Sequence, residues 1–372
     1  MPPARHLRSR AAAWLALGRA QIRVPVGIAA AYDGPLLGKV ARAAAGKVRE
    51  QEMSLGGVPA VVFRPGRGAA PWPTVVLFPG VTRQGRRHPA FLGIGRGLAA
   101  VGYLAIVAEP DGLASGELTP TAVNHARMAV EAALSRPDAA QGGVSLVGVS
   151  GGGTLALRTA AQPAVAERVS VALALAPLCD VPEAIRVVTT GVYRDGAALV
   201  PFSAGDFFKL VIARSIVACL TPGDDRTALR SRLLALDDYG ADPLSSLREW
   251  PRDALGASAR AAVALLSNED PHRFDDLLHA LPEELRAAID VISPISVAHR
   301  IAAPVELVVA REDKYITLVD ATSFAEECTS SRLTVLGSLA HAVPDLSPAA
   351  VRDIARLDGV LVRMLAAAYS RR

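Results

Sequence analysis

The sequence predicts an α/β architecture, a mostly parallel central sheet flanked by helices and interrupted by an all-helical insertion, and three observations predict it. Short β-branched runs alternate with helical patterns from about residue 58 to residue 180, the rhythm of βαβ units. The same alternation resumes after about residue 300. Between those stretches, residues 183–300 carry apolar side chains at helical spacing, with Pro and Gly punctuation and no convincing strand.

In chain order, residues 1–50 form a basic N-terminal segment whose one helical pattern runs from Pro35 to Val48. The first part of the core, 51–182, holds strand candidates "VPAVVFRP", "TVVLFPG", "YLAIVAEPDG", "GVSLVGVS" and "VSVALALAPLCD". Several are apolar throughout, as strands covered on both faces must be. The insertion, 183–300, reads as the helices "FFKLVIARSIVACL", "DRTALRSRLLAL", "ARAAVALLS" and "FDDLLHALPEELRAAI". The stretch from Asp206 to Leu220 is apolar nearly all round, which makes it either a buried helix or the roof of an apolar pocket. The second part of the core, 301–372, supplies "VELVVARED", "RLTVLGS" and a last helix, with Ser347 as N-cap and Pro348 at the first helical position. Its expected apolar stripe is Val351, Ile354, Leu357, Leu361 and Met364. Turn and polar residues gather at the C-terminal strand ends, so Pro79, Asp111, Ser150, Asp180, Asp313 and His341 are expected along one rim, where open parallel sheets bind ligands.

A chain of 372 residues can bury a substantial core, and its 51% hydrophobic content contains no run near the ~18 uncharged apolar residues of a membrane span. The net charge of +4 is uneven: residues 1–50 hold nine Lys/Arg against Asp33 and Glu50, so the remainder is net acidic. With no Lys/Arg stripe interleaved with aromatics, nucleic acid is not an expected partner. The basic segment is expected to dock onto the acidic remainder; the alternative is weak peripheral contact with anionic lipid. "AAAWLALG" is short, Arg19 and Arg23 follow it, and no small-x-small cleavage site appears, so export is not expected. Cys179, Cys219 and Cys328 are odd in number and lack a C-x-x-C pattern, which fits neither a disulfide framework nor a zinc site and points to the cytoplasm. His272, Asp275 and His279 fall at helical spacing in "EDPHRFDDLLH" and read as an exposed charged helix rather than a metal face. No metal and no cofactor is expected. The oligomeric state is left open.

The stretch "LVGVSGGGTLAL", residues 146–157, places a serine among glycines where an apolar run ends and a helical pattern begins. It fits two patterns, G-x-G-x-x-A from Gly151 and G-x-S-x-G from Gly148. A dinucleotide loop needs an acid about 20 positions later and the first βαβ unit of its domain. Position 171 is Val171, and at least three strands come earlier. The other pattern is a nucleophile elbow, a sharp strand-to-helix turn that projects the Ser150 hydroxyl above the sheet and needs small neighbours.

Serine becomes a strong nucleophile when a base takes its proton and an acid orients the base. His6, His88 and His125 precede Ser150, and His272, His279 and His299 lie in the insertion or its exit. His341 lies just past the last strand, 28 residues after Asp313, which closes the strand before it. The favoured base is therefore His341 and the favoured acid Asp313, with Asp180, at the end of the strand after the elbow, as the alternative acid. Backbone N–H groups of Gly151 and of Val81, in the loop "FPGVTRQG", are the candidate oxyanion donors. The arginines of "RQGRRH" beside that loop read as a solvated loop or as a contact for an anionic part of a substrate.

Taken together, "VVLFPGVTRQG", "LAIVAEPDGLASGE", "GVSGGGTLAL", "SPISVAHRIAAPVELVVARED" and "GSLAHAVP" resemble the α/β-hydrolase superfamily, in particular dienelactone-hydrolase-like and esterase-like members with a helical cap. The resemblance covers about residues 55–182 and 301–372. It implies a serine hydrolase acting on a small-molecule carboxylic ester through an acyl-enzyme. Three departures stand out: Pro79 where many members have histidine, Ala340 before the base rather than glycine, and serine where dienelactone hydrolases use cysteine. The last speaks against dienelactone activity. The superfamily also holds acyltransferases and catalytically silent binding proteins, which are the alternative readings.

Overall fold

The computed structural model describes residues 47–337, 339–341, 343–344 and 351–370. The expected helix from Pro35 to Val48, apart from its last two residues, lies outside these, as do the Ser347 cap and the docking of the basic segment.

Eight strands form one sheet in the order β1-β2-β4-β3-β5-β6-β9-β10. They are β1 (Arg49–Leu55), β2 (Val58–Arg64), β3 (Trp72–Phe78), β4 (Leu104–Ala108), β5 (Ala139–Val149), β6 (Val169–Leu175), β9 (Val305–Ala310) and β10 (Ser331–Leu336); β7 (Val192–Asp195) and β8 (Ala198–Pro201) form a separate ribbon. From β4 to β10 every pairing is parallel, and β1 and β2 add an antiparallel edge. The sheet is thus mostly parallel, as expected. The seven strand candidates all form; β1 was not among them. Its sequence "REQEMSL" is almost wholly exposed and carries no buried alternation.

Helices cover both faces. On one side α1 (Pro89–Ala100) and the last helix, α12 (Val351–Ser370), pack over Phe63, Val75, Leu77 and Val107. The last helix buries Val360, Met364 and Leu365, while Ile354, read as part of its stripe, is 40% exposed. The apolar stripe therefore begins a turn later than the sequence pattern placed it. On the other side lie α2 (Pro120–Leu134), α3 (Gly151–Ala160) and α11 (Leu318–Glu327), over Val62, Val76, Ile106 and Leu146. Alternate residues of one strand enter opposite cores, the period-2 consequence of a sheet buried on both faces.

Between β6 and β9 run α4 (Val181–Thr190), α5 (Asp206–Ala218), α6 (Asp224–Leu234), α7 (Ser245–Arg248), α8 (Ala257–Leu266), α9 (Phe274–His279) and α10 (Glu283–Ile292). The insertion is helical except for the β7–β8 hairpin, which corrects the all-helical expectation. Gly196 and Ala197 make its turn, and Gly196, at the first central position, takes a φ of 58°, so a Gly-X hairpin signal stood in the sequence. Asp275 of α9, one of the three residues at helical spacing with His272 and His279, pairs with Arg186 and Arg194. No helix among the described residues is long and apolar enough to cross a membrane.

Candidate active site

Ser150 stands between β5 and α3 with φ 52° and ψ −124°, a backbone conformation that costs L-residues energy and persists only where surroundings enforce it. Two glycines make the turn sterically feasible. A Cβ on Gly148 would sit 2.0 Å from the Gly152 carbonyl oxygen, and one on Gly152 would sit 2.1 Å from that of Phe78. No side chain fits at either position, which explains the run of glycines better than flexibility does. The strained serine, the flanking strand and the following helix together make the elbow that the motif predicts.

Asp313 follows β9 in a tight turn. Its Oδ1 accepts the Tyr315 N–H at 2.8 Å and the Ile316 N–H at 3.3 Å, and its Oδ2 lies 2.8 Å from His341 Nδ1. With the carboxylate accepting, Nδ1 carries the proton and Nε2 is left to act as a base. The Asp313 side chain is 4% exposed, so this bond is sheltered from water. His341 sits in the turn of a short ribbon between Leu339–Ala340 and Val343–Pro344, at φ 53°. The edge of its ring meets Tyr315, centroids 4.8 Å apart at 89°. Tyr315 in turn contacts Phe207 and Phe208 of α5, so the insertion reaches the imidazole through one aromatic side chain. Sequence reasoning passed over Tyr315; its place two residues beyond the candidate acid was the available signal.

Ser150, Gly151, Val81 and His341 line one cavity of about 820 Å³. The Val81 nitrogen lies 4.0 Å from the position a Gly151 Cβ would occupy. Neither N–H has a backbone acceptor among the described residues. The Ser150 hydroxyl and His341 are not hydrogen-bonded to each other here; such bonds often tighten only with substrate in place. The roof comes from α5: Phe207, Phe208, Val211, Ile212 and Ile216 line the cavity, and most of that helix is also buried. Both readings of the apolar stretch from Asp206 to Leu220 therefore hold.

Asp111 and Asp180 are absent from the cavity lining. Asp180 is the N-cap of α4, accepting the Glu183 N–H at 3.1 Å, and burial raises its carboxyl. Neither carboxylate oxygen bonds His341. The arginines near the oxyanion loop are engaged: Arg87 pairs with Glu52, Arg86 with Glu52 and Glu109, and Arg83 with Asp238 of the insertion. The Arg83 guanidinium, and after it Arg214, hold the Asp238 carboxyl below the usual range. Asp238, with Asp237 and Tyr239, forms a polar wall that the sequence did not mark. Among the described residues no group of His, Cys, Asp and Glu is placed to hold a metal ion.

No protein-family model matches this chain, and no curated protein matches its sequence. Solved structures do match. An acylaminoacyl peptidase from Pyrococcus horikoshii is 12% identical, with a TM-score of 0.51 over 85% of this chain and 41% of its own. Est1E from Butyrivibrio proteoclasticus is 12% identical, with a TM-score of 0.48 over 84% of this chain and 96% of its own. A 2,6-dihydroxy-pseudo-oxynicotine hydrolase is 14% identical, with a TM-score of 0.46 over 88% of this chain and 71% of its own. The peptidase match, with the sheet order and the strand-turn-helix elbow at Ser150, gives the fold as that of the α/β-hydrolases. A fold alone does not select the reaction.

Proposed function

We propose that this protein is a serine hydrolase that cleaves a carboxylic ester with an apolar acyl group through a covalent acyl-enzyme. The observation that carries the reading is that His341, held by the buried Asp313, lines the same cavity as a serine on a strained elbow. His341 Nε2 takes the proton of Ser150 as Oγ attacks the acyl carbon, and the N–H groups of Val81 and Gly151 bind the oxyanion that forms. The imidazolium gives its proton to the departing alkoxide, and the acyl group stays on Ser150. His341 then takes a proton from water, whose oxygen attacks the ester carbonyl; collapse returns the proton to Ser150 and releases the acid. Asp313 remains ionised throughout, fixing the imidazole tautomer. The insertion acts as a cap whose α5 face, Phe207, Phe208, Ile212 and Ile216, favours an apolar acyl chain over a charged one.

A panel of p-nitrophenyl esters of graded acyl length tests this. Ser150→Ala is expected to lower kcat by about 10⁴ to 10⁶ with the fold intact, and a fluorophosphonate should label Ser150 alone. Wild-type turnover in that variant, or labelling of another residue, would discard the assignment.

A further inference from the structure

The sheet carries a second cleft on its far edge, and its chemistry is opposite to that of the apolar cavity. It encloses about 510 Å³ between β10, the end of β9 and α12, and four arginines line it: Arg311, Arg332, Arg356 and Arg363. On β10, Arg332 and Thr334 share the face that α12 covers, in register with Glu306 and Val308 of β9. On α12, Ala355, Gly359 and Arg363 recur every four residues and so share one face. The two small residues leave the space, and the four arginines line it.

The charges do not cancel. Arg363 is fully engaged by Glu306, with Nε and Nη2 at 2.6 and 2.7 Å from its two oxygens. Arg356 reaches Asp353 and the Val335 carbonyl oxygen, each at 3.3 Å. Arg311 and Arg332 have no side-chain partner among the described residues. Arg311 and Arg332, without side-chain partners, line one concave space beside the loosely held Arg356 and Thr334, so an anion bound there would meet positive charge that nothing else neutralises. The donors come from a strand end, an edge strand and a helix, so they approach from several directions, which suits a tetrahedral oxyanion better than a planar one. Among the described residues no aromatic ring lines the cleft, so they give it no platform for a nucleobase.

We propose that this cleft binds a compact phosphoryl anion, such as pyrophosphate or the phosphate of a small ester, with Arg311 and Arg332 as the principal donors and Arg356 and Thr334 completing the cradle. The site lies apart from Ser150 and does not depend on the esterase reading.

Isothermal titration of the full chain with sodium pyrophosphate, at low ionic strength and at about 0.15 M salt, tests it. A single saturable site is expected, weaker in salt but still measurable. Arg311→Gln and Arg332→Gln should each weaken it by about tenfold or more, the loss of one charge-assisted contact. Arg332→Lys, which keeps the charge and loses the fork, should fall between. Arg96→Gln, which removes an exposed arginine paired with Glu50 elsewhere on the surface, should change the affinity by less than about twofold. Circular dichroism melts of each variant separate lost binding from lost folding. Absence of saturable binding in the wild type, or an Arg96→Gln loss as large as that of Arg332→Gln, would overturn the proposal. So would wild-type affinity in Arg332→Lys, because diffuse charge would then account for the binding.

Discussion

The ends of β6 and β9 look alike in sequence and work differently in the structure. Each strand is buried, each is followed within a few residues by an aspartate, and the two strands lie side by side in the sheet. After β6, Asp180 caps α4, and its own N–H, like that of Cys179, is held by the carboxylate of Asp320 at 2.7 and 2.9 Å. After β9, Asp313 closes a turn with one oxygen and holds His341 with the other. Asp320 gives both oxygens to backbone N–H groups and Asp180 gives one to its helix, whereas Asp313 gives one to its turn and holds an imidazole with the other. The difference comes from the segment on the C-terminal side of each strand. A helix starting directly at Asp180 offers it a free N–H, while the turn through Tyr315 holds α11 away and leaves Asp313 Oδ2 facing the rim.

The sharpest way to break this comparison is Asp313→Asn. The amide cannot take the Nδ1–H as a carboxylate does, so the tautomer is lost, and kcat is expected to fall by about 10³ to 10⁴ with little change in stability. Steady-state kinetics on p-nitrophenyl butyrate reads this out. A loss below about tenfold would mean that Asp313 only closes its turn.

The strands and the elbow were legible because they obey local rules. Apolar β-branched runs and a glycine-flanked serine are visible without knowing what packs on them. The turn "RED" after an apolar strand favours Asp313 over Asp180 in the sequence, and in the structure Asp313 Oδ2 lies 2.8 Å from His341 Nδ1. The N-cap role of Asp180 could have been read from Pro182 and Glu183 behind it, since Asp before Pro and Glu opens helices. β1 was hidden because a polar edge strand has no apolar alternation, although Gly56-Gly57 marked its hairpin with β2. The Arg83–Asp238–Arg214 chain and the contact of Tyr315 with His341 join residues from different segments by shape alone, and no local pattern encodes them.

A smaller effect, on stability rather than rate, is expected at Asp320. Burial, and after it the charges of Asp180 and Glu183, push its carboxyl up to about 8 in the face of the N–H bonds it accepts. A carboxyl whose folded pKa exceeds its unfolded value of 3.8 holds its proton longer in the native state. Its contribution is therefore complete below about pH 4 and declines up to about pH 8, by at most about 1.4 kcal/mol per pH unit for one proton. Asp320→Asn sets an amide NH₂ against one of two backbone N–H groups and should cost about 1 to 3 kcal/mol, most at low pH. Urea melts across this range should show the gap between wild type and variant narrowing as pH rises. A widening gap would mean that the native carboxyl is ionised and held by the Cys179 and Asp180 N–H groups.

The smallest effect belongs to Asp180 and is the most discriminating for the two strand ends. As an N-cap, its carboxylate satisfies one helix donor, and Asp180→Ala should cost about 1 kcal/mol of stability. Asp180→Asn should be nearly silent, because asparagine caps a helix about as well as aspartate. Neither change should move kcat by more than about threefold, since Asp180 neither lines the cavity nor bonds His341. Thermal melts and ester turnover on both variants give the outcome. If Asp180→Asn instead cut kcat by orders of magnitude while its melting temperature stayed put, Asp180 would be the acid that orients the base, and the Asp313–His341 contact would be a structural bond at the wrong strand end.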